Sequence, residues 1–195
     1  MSEYSIENTI IHLLGMPGTG KYTIAREMAA LAPSFRLVDN HLINNPLFSI
    51  VRKDGKTKLP PRIWDNTAKI WEAVADTMVH ISPPEYSFIL TNALFDHDDG
   101  DRRHAQHMKA VAVARKGVYI PVRLVISNVE EHTRRITAPQ RNERMKEINA
   151  EAPQRYATLE VLKTGLPEEF TLDVTSLSPA DAAREILARA GATAA

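Results

Sequence analysis

The residues best suited to chemistry form one short segment near the start of the chain. They are Gly15, Met16, Pro17, Gly18, Thr19, Gly20, Lys21, Tyr22 and Thr23. The three glycines permit backbone conformations that other residues resist, and they leave no side chain in the way of an anion. Consecutive backbone N–H groups can then converge on a phosphate. The lysine adds a positive charge, so the segment indicates binding of a phosphorylated ligand.

This segment is expected to join a strand to a helix. An apolar run over Thr9–Leu14 predicts a buried strand, and residues 21–31 predict a helix with Ile24, Met28 and Leu31 on one face. A loop in that position also receives the positive end of the helix dipole. The alternative is a glycine-rich turn without a ligand, which the lysine and the preceding strand disfavour.

Apolar runs alternate with helical patterns along the rest of the chain. Further strands are predicted over 35–38, 87–94, 118–127 and 170–174, and further helices over 63–81, 99–116, 129–136 and 179–190. Such alternation predicts a parallel sheet covered by helices on both faces. Ligands of these sheets bind at the carboxyl ends of the strands. We therefore expect an α/β fold in a single domain spanning residues 1–195.

Several local features of the sequence predict details of the structure. Residues 40–61 and 137–153 do not fit the core pattern, so we expect both to be mobile segments near the ligand. Pro121 favours a bulge or a pairing that begins later in its strand. Gly117 is expected to end a helix and Ser178 to cap one. Core packing is the favoured interpretation of Trp64 and Trp71, with stacking on a planar ligand as the alternative.

The composition excludes several classes of protein. The 195 residues contain 24 Lys and Arg against 24 Asp and Glu, which disfavours a surface devoted to nucleic acid. Absence of cysteine excludes disulfides, thiolate metal sites and cysteine nucleophiles. The longest uncharged run, over 8–20, is too short to span a bilayer, and Glu3 and Glu7 stand where a signal peptide would be basic. We expect a cytoplasmic protein that binds neither nucleic acid nor membrane.

The pattern GxPGxGKxT resembles the phosphate loop of the nucleoside monophosphate kinases, above all adenylate kinases, and more loosely that of shikimate, gluconate and antibiotic kinases. The resemblance implies a three-layer α/β/α P-loop fold with a five-stranded parallel sheet, an acceptor-binding insert at about 40–81 and a lid at about 137–153. It also implies that residues 15–23 bind ATP, with Mg²⁺ held largely through water. Thr23 would contact phosphate, whereas Tyr22 replaces the Ser or Thr expected as a direct magnesium ligand.

The resemblance also gives a role to Asp39, which follows the second predicted strand. In several of these kinases, an acidic residue here holds magnesium through water or orients the substrate hydroxyl. The alternative is a helix-capping or turn residue. Neighbouring His41 could touch substrate or have no role.

A basic run over 134–146 contains five cations and one acid. The resemblance implies that it belongs to the lid, with Arg135 against the adenine and Arg141 and Arg144 on the transferring phosphoryl group. A solvated helix end is the alternative. The resemblance also places Thr175 and Ser176 beside the adenine, although a simple capping loop explains them equally well.

The acidic run Asp96, Asp98, Asp99 and Asp101 could reach metal or substrate, or could simply cap the next helix. Adenylate kinases carry Asp-Gly-Phe-Pro-Arg near this strand end. Since that motif is missing, we do not expect an adenylate kinase.

The leading hypothesis is an ATP-dependent phosphotransferase acting on a small molecule, either a nucleoside monophosphate or a hydroxylated metabolite or antibiotic. Lys21, Asp39, Arg141 and Arg144 would be its catalytic residues. A non-catalytic nucleotide-binding regulator and an NTP hydrolase are the alternatives. The guanine-binding Asn-Lys-x-Asp and phosphate-sensing Asp-x-x-Gly motifs of GTPases are absent.

Overall fold

The computed structural model describes residues 4–51, 59–139, 149–156 and 158–194. Five parallel strands form one sheet in the order β2-β3-β1-β4-β5. The strands are β1 Thr9–Gly15, β2 Phe35–Asp39, β3 Ser87–Asn92, β4 Val118–Val125 and β5 Phe170–Asp173. The described helices are α1 Lys21–Leu31, α2 Asn40–Phe48, α3 Arg62–His80, α4 Asp99–Ala114, α5 Val129–Ile136, α6 Ala152–Tyr156 and α7 Pro179–Ala194.

Helices cover both faces of the sheet because successive side chains of a strand point to opposite sides. On one face, Ile11 of β1 belongs to a core that contains Ile186 of α7. On the other, Ile10 belongs to a core with Trp71 of α3 and Met108 of α4. The predicted three-layer α/β/α arrangement with a five-stranded parallel sheet is confirmed.

The sequence prediction missed α2, which occupies the first part of the segment expected to be mobile. Pro46 lies inside this helix and obscures the helical pattern, since proline lacks the N–H that a helix interior uses. The helix is held by tertiary burial instead, with Ile43 and Phe48 both buried. The first residue of α2 directly follows β2. Side chains at the start of this helix therefore lie at the carboxyl edge of the sheet, where ligands are expected to bind.

The buried face of α3 agrees with the prediction at Trp71 but differs in the first turns of the helix. Trp71 is 4% exposed, as expected of a core residue, but Trp64 is 51% exposed and the core prediction was wrong for it. Ile63 and Thr67 take the buried positions one residue earlier. Trp64 instead makes an edge contact with Phe48 of α2, with ring centroids 5.9 Å apart.

The expectation at Pro121 is confirmed on one side of β4 only. The ladder with β5 begins just after this proline, at Val122, whereas the ladder with β1 runs through Pro121, opposite His12, without a bulge. The expectation at Gly117 was wrong. After α4 the left-handed residue is Lys116, with φ 58°, rather than Gly117. The predicted cap of α7 is confirmed, because Ser178 Oγ accepts a hydrogen bond of 3.1 Å from the Asp181 backbone N–H.

Among the described residues, none of the helices combines the length and the apolar character that crossing a membrane requires.

Candidate active site at the carboxyl edge of the sheet

The phosphate loop connects β1 to α1, as the sequence predicts. Gly18 and Gly20 have φ values of 100° and 86°, a left-handed region that favours glycine. Gly15 lies so close to β4 that an added Cβ would be 2.8 Å from the Leu124 carbonyl oxygen. Buried Thr19 braces the turn, since its Oγ1 donates to the Met16 carbonyl at 3.0 Å. The backbone of the loop is therefore fixed in a concave conformation at the N-terminus of α1, and this arrangement suits the binding of a phosphate.

Lys21 is held at this loop. Its Nζ donates to the carbonyl oxygens of Gly15 and Met16, at 2.6 and 3.0 Å. Thr23 Oγ1 donates to the Gly20 carbonyl at 2.8 Å, so its hydroxyl lies within the first turn of α1. Both side chains line a large cavity, together with Pro17 and Tyr22.

His132 of α5 supports the loop, and sequence reasoning did not identify it. Its Nε2 donates to the Pro17 carbonyl at 2.7 Å, and a Cβ on Gly18 would lie 2.9 Å from its ring. The side chain is buried. A histidine 115 residues away from the loop gives no local signal, so only the tertiary structure reveals the contact.

Removing this support should weaken nucleotide binding. We expect His132→Ala to lower ATP affinity about tenfold, because a net hydrogen bond contributes roughly 1 kcal/mol and the unsupported loop must be ordered on binding. Equilibrium titration with ATP measures the effect, and His80→Ala, on an exposed residue of α3, is the control. Equal affinity of the His132 variant and the control would contradict a supporting role.

Asp39 lies at the carboxyl end of β2 and is only 2% exposed, yet it lines the same cavity as Lys21. Its Oδ1 accepts a hydrogen bond of 2.6 Å from Thr91 Oγ1 on β3. Although Asp39 occupies the N-cap position of α2, its side chain makes no capping hydrogen bond. A capping role therefore does not explain this carboxylate, and its position suits a ligand-directed one.

Arg135 lies against the loop that follows β5. Its Nη2 donates to the carbonyl oxygens of Val174 and Thr175, both at 2.9 Å, and its Nε donates to Glu131 at 2.6 Å. Arg134 binds the same carboxylate, and the hydrogen bonds from Arg134 and then Arg135 lower the pKa of Glu131 to about 2. Arg135 thus has a fixed position at the cavity wall, and its contact with a base stays a prediction.

The predicted base neighbours lie in this same loop. Thr175 Oγ1 donates to Asp173 at 2.5 Å and accepts from the Ser127 backbone N–H at 2.8 Å. The cavity is lined here by Val174 and Leu177 rather than by the side chains of Thr175 and Ser176. Contact of Thr175 and Ser176 with a base stays a prediction.

The two predicted phosphate clamps, Arg141 and Arg144, lie outside the described residues, as does most of the predicted lid. Their roles stay predictions. Arg134, at the end of α5, is a described cation that lines the cavity from this side.

The acidic run after β3 divides into separate roles. Asp98 caps α4 by accepting hydrogen bonds from the Gly100 and Asp101 backbone N–H groups, as the capping interpretation predicts. Asp96 pairs with Arg102 at 3.0 Å. Asp101 lines the cavity, as Asp98 does, and its carboxylate accepts a hydrogen bond from the Phe95 backbone N–H at 2.7 Å.

Asp101 should make stability depend on pH. Burial, aided by the nearby charge of Asp98, raises its pKa from 3.8 to about 6 despite the bond from Phe95. The folded state then binds more protons than the unfolded one between these values, so this contribution to stability is lost as pH rises through them. We expect Asp101→Asn to remove that loss and to raise the free energy of unfolding by about 1 kcal/mol at pH 7, a value discounted for partial exposure.

Urea denaturation of the wild type and Asp101→Asn from about pH 4 to pH 7 tests this expectation. Asp99→Asn, on a neighbouring exposed residue, should show no comparable gain. A difference between wild type and Asp101→Asn that stays constant across the range would be inconsistent with titration of Asp101.

The loop, Asp39, Arg135 and Asp101 all line one cavity of about 2150 Å³ along the carboxyl edge of the sheet. The described residues contain no ready-made group of three His, Asp or Glu side chains for a metal ion. The buried Asp39 carboxylate and the Thr23 hydroxyl both line this cavity, and such oxygen ligands fit Mg²⁺ that arrives with a nucleotide and keeps several waters. Asp39 and Thr23 are the residues suited to hold it.

Three solved structures with the same fold share little sequence with this chain. Neither a protein-family model nor a curated protein sequence matches this chain. A gluconokinase from Sinorhizobium meliloti 1021 aligns with a TM-score of 0.62 and 13% identity over 97% of this chain and 95% of that one. A sugar kinase from Janibacter sp. HTCC2649 gives 0.61 and 18%, over 96% and 98%.

A shikimate kinase from Acinetobacter baumannii, solved with shikimate, gives a TM-score of 0.52 and 16% identity over 94% of this chain and 92% of that one. These likenesses extend over nearly the whole of each chain and include the sheet that carries the phosphate loop. The chain therefore has the three-layer α/β/α fold of the P-loop kinase family.

Proposed function

We propose that this protein is an ATP-dependent kinase that transfers the γ-phosphoryl group to a small molecule. The observation that carries the proposal is that a lysine-bearing phosphate loop and the buried carboxylate of Asp39 line the same cavity. A phosphate site alone is compatible with simple nucleotide binding. A buried carboxylate two strands away along the same edge adds a group that can direct an acceptor.

In this proposal each region has one task. The backbone of residues 15–20 binds the β- and γ-phosphates, and Arg135 with the loop after β5 borders the base. The acceptor-binding segment covers about 40–81 and the lid about 137–153. Lys21, with Arg141 and Arg144 of the lid, stabilises charge on the transferring group. Mg²⁺, when bound, neutralises charge on the β- and γ-phosphates.

The transfer itself forms one bond and breaks one. The acceptor oxygen bonds to the γ-phosphorus while the bond to the β–γ bridging oxygen breaks, which releases ADP. Asp39 orients the acceptor hydroxyl and accepts its proton. Thr91 fixes the carboxylate for this task through its 2.6 Å hydrogen bond.

Phosphoryl transfer from ATP to a panel of nucleotides, sugars, polyols and shikimate-like alcohols tests the proposal. We expect Asp39→Asn to lower kcat about a hundredfold with ATP affinity nearly unchanged, because orientation and proton transfer are lost while the phosphate loop is intact. Asp76→Asn, on an exposed residue of α3, is the matched control.

The alternatives give different results in the same experiment. Release of inorganic phosphate without any phosphorylated acceptor would identify a hydrolase. ATP binding without turnover, together with nucleotide-dependent binding of a partner, would identify a regulator and overturn the kinase proposal. The feature that favours a regulator as the second candidate function is Tyr22, which replaces the usual Ser or Thr.

A further inference from the structure

A group of uncharged polar side chains lines the cavity near Asp39. It comprises Asn40 and Asn44 of α2, Asn92 of β3 and His104 of α4, and we call it the amide–imidazole cluster. Asn40 and Asn44 are one helical turn apart, so they share a face of α2. Asn92 Nδ2 donates to Asn40 Oδ1 at 3.2 Å, which joins α2 to the sheet.

A buried histidine fixes the orientation of these amides. His12 Nε2 lies 2.9 Å from Asn92 Oδ1, and its Nδ1 lies 2.8 Å from the Tyr119 hydroxyl. Burial lowers the pKa of His12 to about 3, so the ring is neutral and carries one N–H. Because an amide oxygen only accepts, Nε2 donates to Asn92 and Tyr119 donates to Nδ1. The amide nitrogen of Asn92 is thereby turned toward Asn40.

Two members of the cluster contain buried polar atoms that lack a hydrogen-bond partner within the described part of the chain. They are Asn44 Oδ1 and His104 Nε2. Buried polar atoms in folded proteins are nearly always hydrogen-bonded, so an orphan beside a cavity indicates a group that a ligand satisfies. Burial and neighbouring His107 lower the pKa of His104 to about 4, so its neutral ring can both donate and accept. A hydroxyl group of a ligand can likewise both donate and accept a hydrogen bond, so it can pair with an amide or with a neutral imidazole.

The charges around the cluster disfavour an anionic ligand. Asp39 is buried beside it, and Asp65 and Glu72 of α3 line the same cavity. Among the described lining residues of α3 and α4, the lysine and arginine contribution is Arg103, which is exposed. A phosphate or carboxylate placed against the cluster would meet carboxylates and lose hydration, and the described residues of α3 and α4 supply no buried lysine or arginine to compensate. Trp71 offers an apolar ring for the C–H face of a ligand.

We propose that the phosphate acceptor is a neutral, polyhydroxylated molecule of the sugar or cyclitol class, bound through its hydroxyl groups by the amide–imidazole cluster. This inference rests on the proposed kinase function and selects between the two acceptor classes that the sequence leaves open. Asn44 and His104 determine specificity, His12 is a positioning residue, and Asp39 receives the hydroxyl that is phosphorylated.

Matched pairs of acceptors test the charge argument. Each pair contains a neutral compound and its anionic counterpart: a sugar and its sugar acid, a cyclitol and its carboxylate, a nucleoside and its monophosphate. We expect kcat/KM for the preferred neutral sugar or cyclitol to exceed that of its anionic partner at least tenfold. The reverse preference would overturn this inference and leave the kinase proposal intact. Phosphorylation of no acceptor at all would overturn both.

Two nearly isosteric variants test the cluster itself. Asn44→Leu and His104→Phe each remove a buried orphan, so we expect thermal stability to be unchanged or higher. We also expect KM for the preferred neutral acceptor to rise about tenfold, with KM for ATP within twofold of wild type. His104→Gln, which retains hydrogen-bonding groups, should recover part of the loss.

Asn66→Leu is the matched control, because Asn66 lies on α3 but its amide pairs with exposed Lys69. A merely structural role for the cluster predicts lower stability and equal effects on both substrates, which would contradict the proposal. Unchanged acceptor KM in both cluster variants would contradict it as well.

Discussion

Lys21→Met should lower kcat for phosphoryl transfer by about 10²–10³-fold while the protein stays folded. The substitution keeps the length of the side chain but removes the ammonium group that faces the loop carbonyls of Gly15 and Met16. In the transition state, negative charge spreads over the oxygens of the transferring group, and a fixed positive charge lowers its energy. Single-turnover kinetics with saturating ATP measures the effect on the chemical step.

A surface lysine provides the comparison for this variant. Lys163→Met removes a charge of the same kind from a residue whose ammonium pairs with exposed Glu160, and neither of these two residues lines the cavity. We expect its kcat to match wild type. Parallel ATP and ADP titrations separate binding from chemistry. A Lys21 variant that turns over within threefold of wild type would be incompatible with the proposed role.

Gly117→Ala should destabilise the fold by about 3 kcal/mol, the largest single effect on stability that we expect. An added Cβ at this position would lie 2.0 Å from the carbonyl oxygen of Asn8, far inside van der Waals contact. That oxygen accepts a hydrogen bond from the Val118 N–H at 3.1 Å, and Asn8 Nδ2 donates to the Arg115 carbonyl at 2.8 Å. The backbone would have to separate where β1 and β4 begin.

A second glycine gives the opposite expectation and serves as the control. Gly191 lies in α7, and a Cβ there would be no closer than 3.8 Å to Ile6. Gly191→Ala should stabilise the protein by about 1 kcal/mol, since alanine favours helix more than glycine does. Urea unfolding with comparison of midpoints and slopes measures both variants. A decrease of less than about 1 kcal/mol in the free energy of unfolding of Gly117→Ala would contradict this prediction, because it would show that the backbone at Asn8 can shift to accommodate the added Cβ at little cost.

Much of the fold could be predicted because its signals are local. Apolar runs identified every strand of the described sheet, and the cap at Ser178 lies within one turn of the residues it bonds. The phosphate loop is local in the same sense. Its glycines, its lysine and its position between β1 and α1 are all contained in nine consecutive residues. Helix α2, which the sequence did not predict, shows the limit of local signals. Burial of Ile43 and Phe48 outweighs the local effect of Pro46, and that burial depends on distant segments.

The sequence by itself determined the phosphate loop, the parallel sheet and the candidate carboxylate Asp39. Only the tertiary structure decided what surrounds them: His132 beneath the loop, the hydrogen bond from Thr91 to Asp39, and the exposure of Trp64. The reason is physical. Hydrogen-bonding patterns within a turn depend on neighbouring residues, whereas burial and partners between strands depend on how distant segments pack.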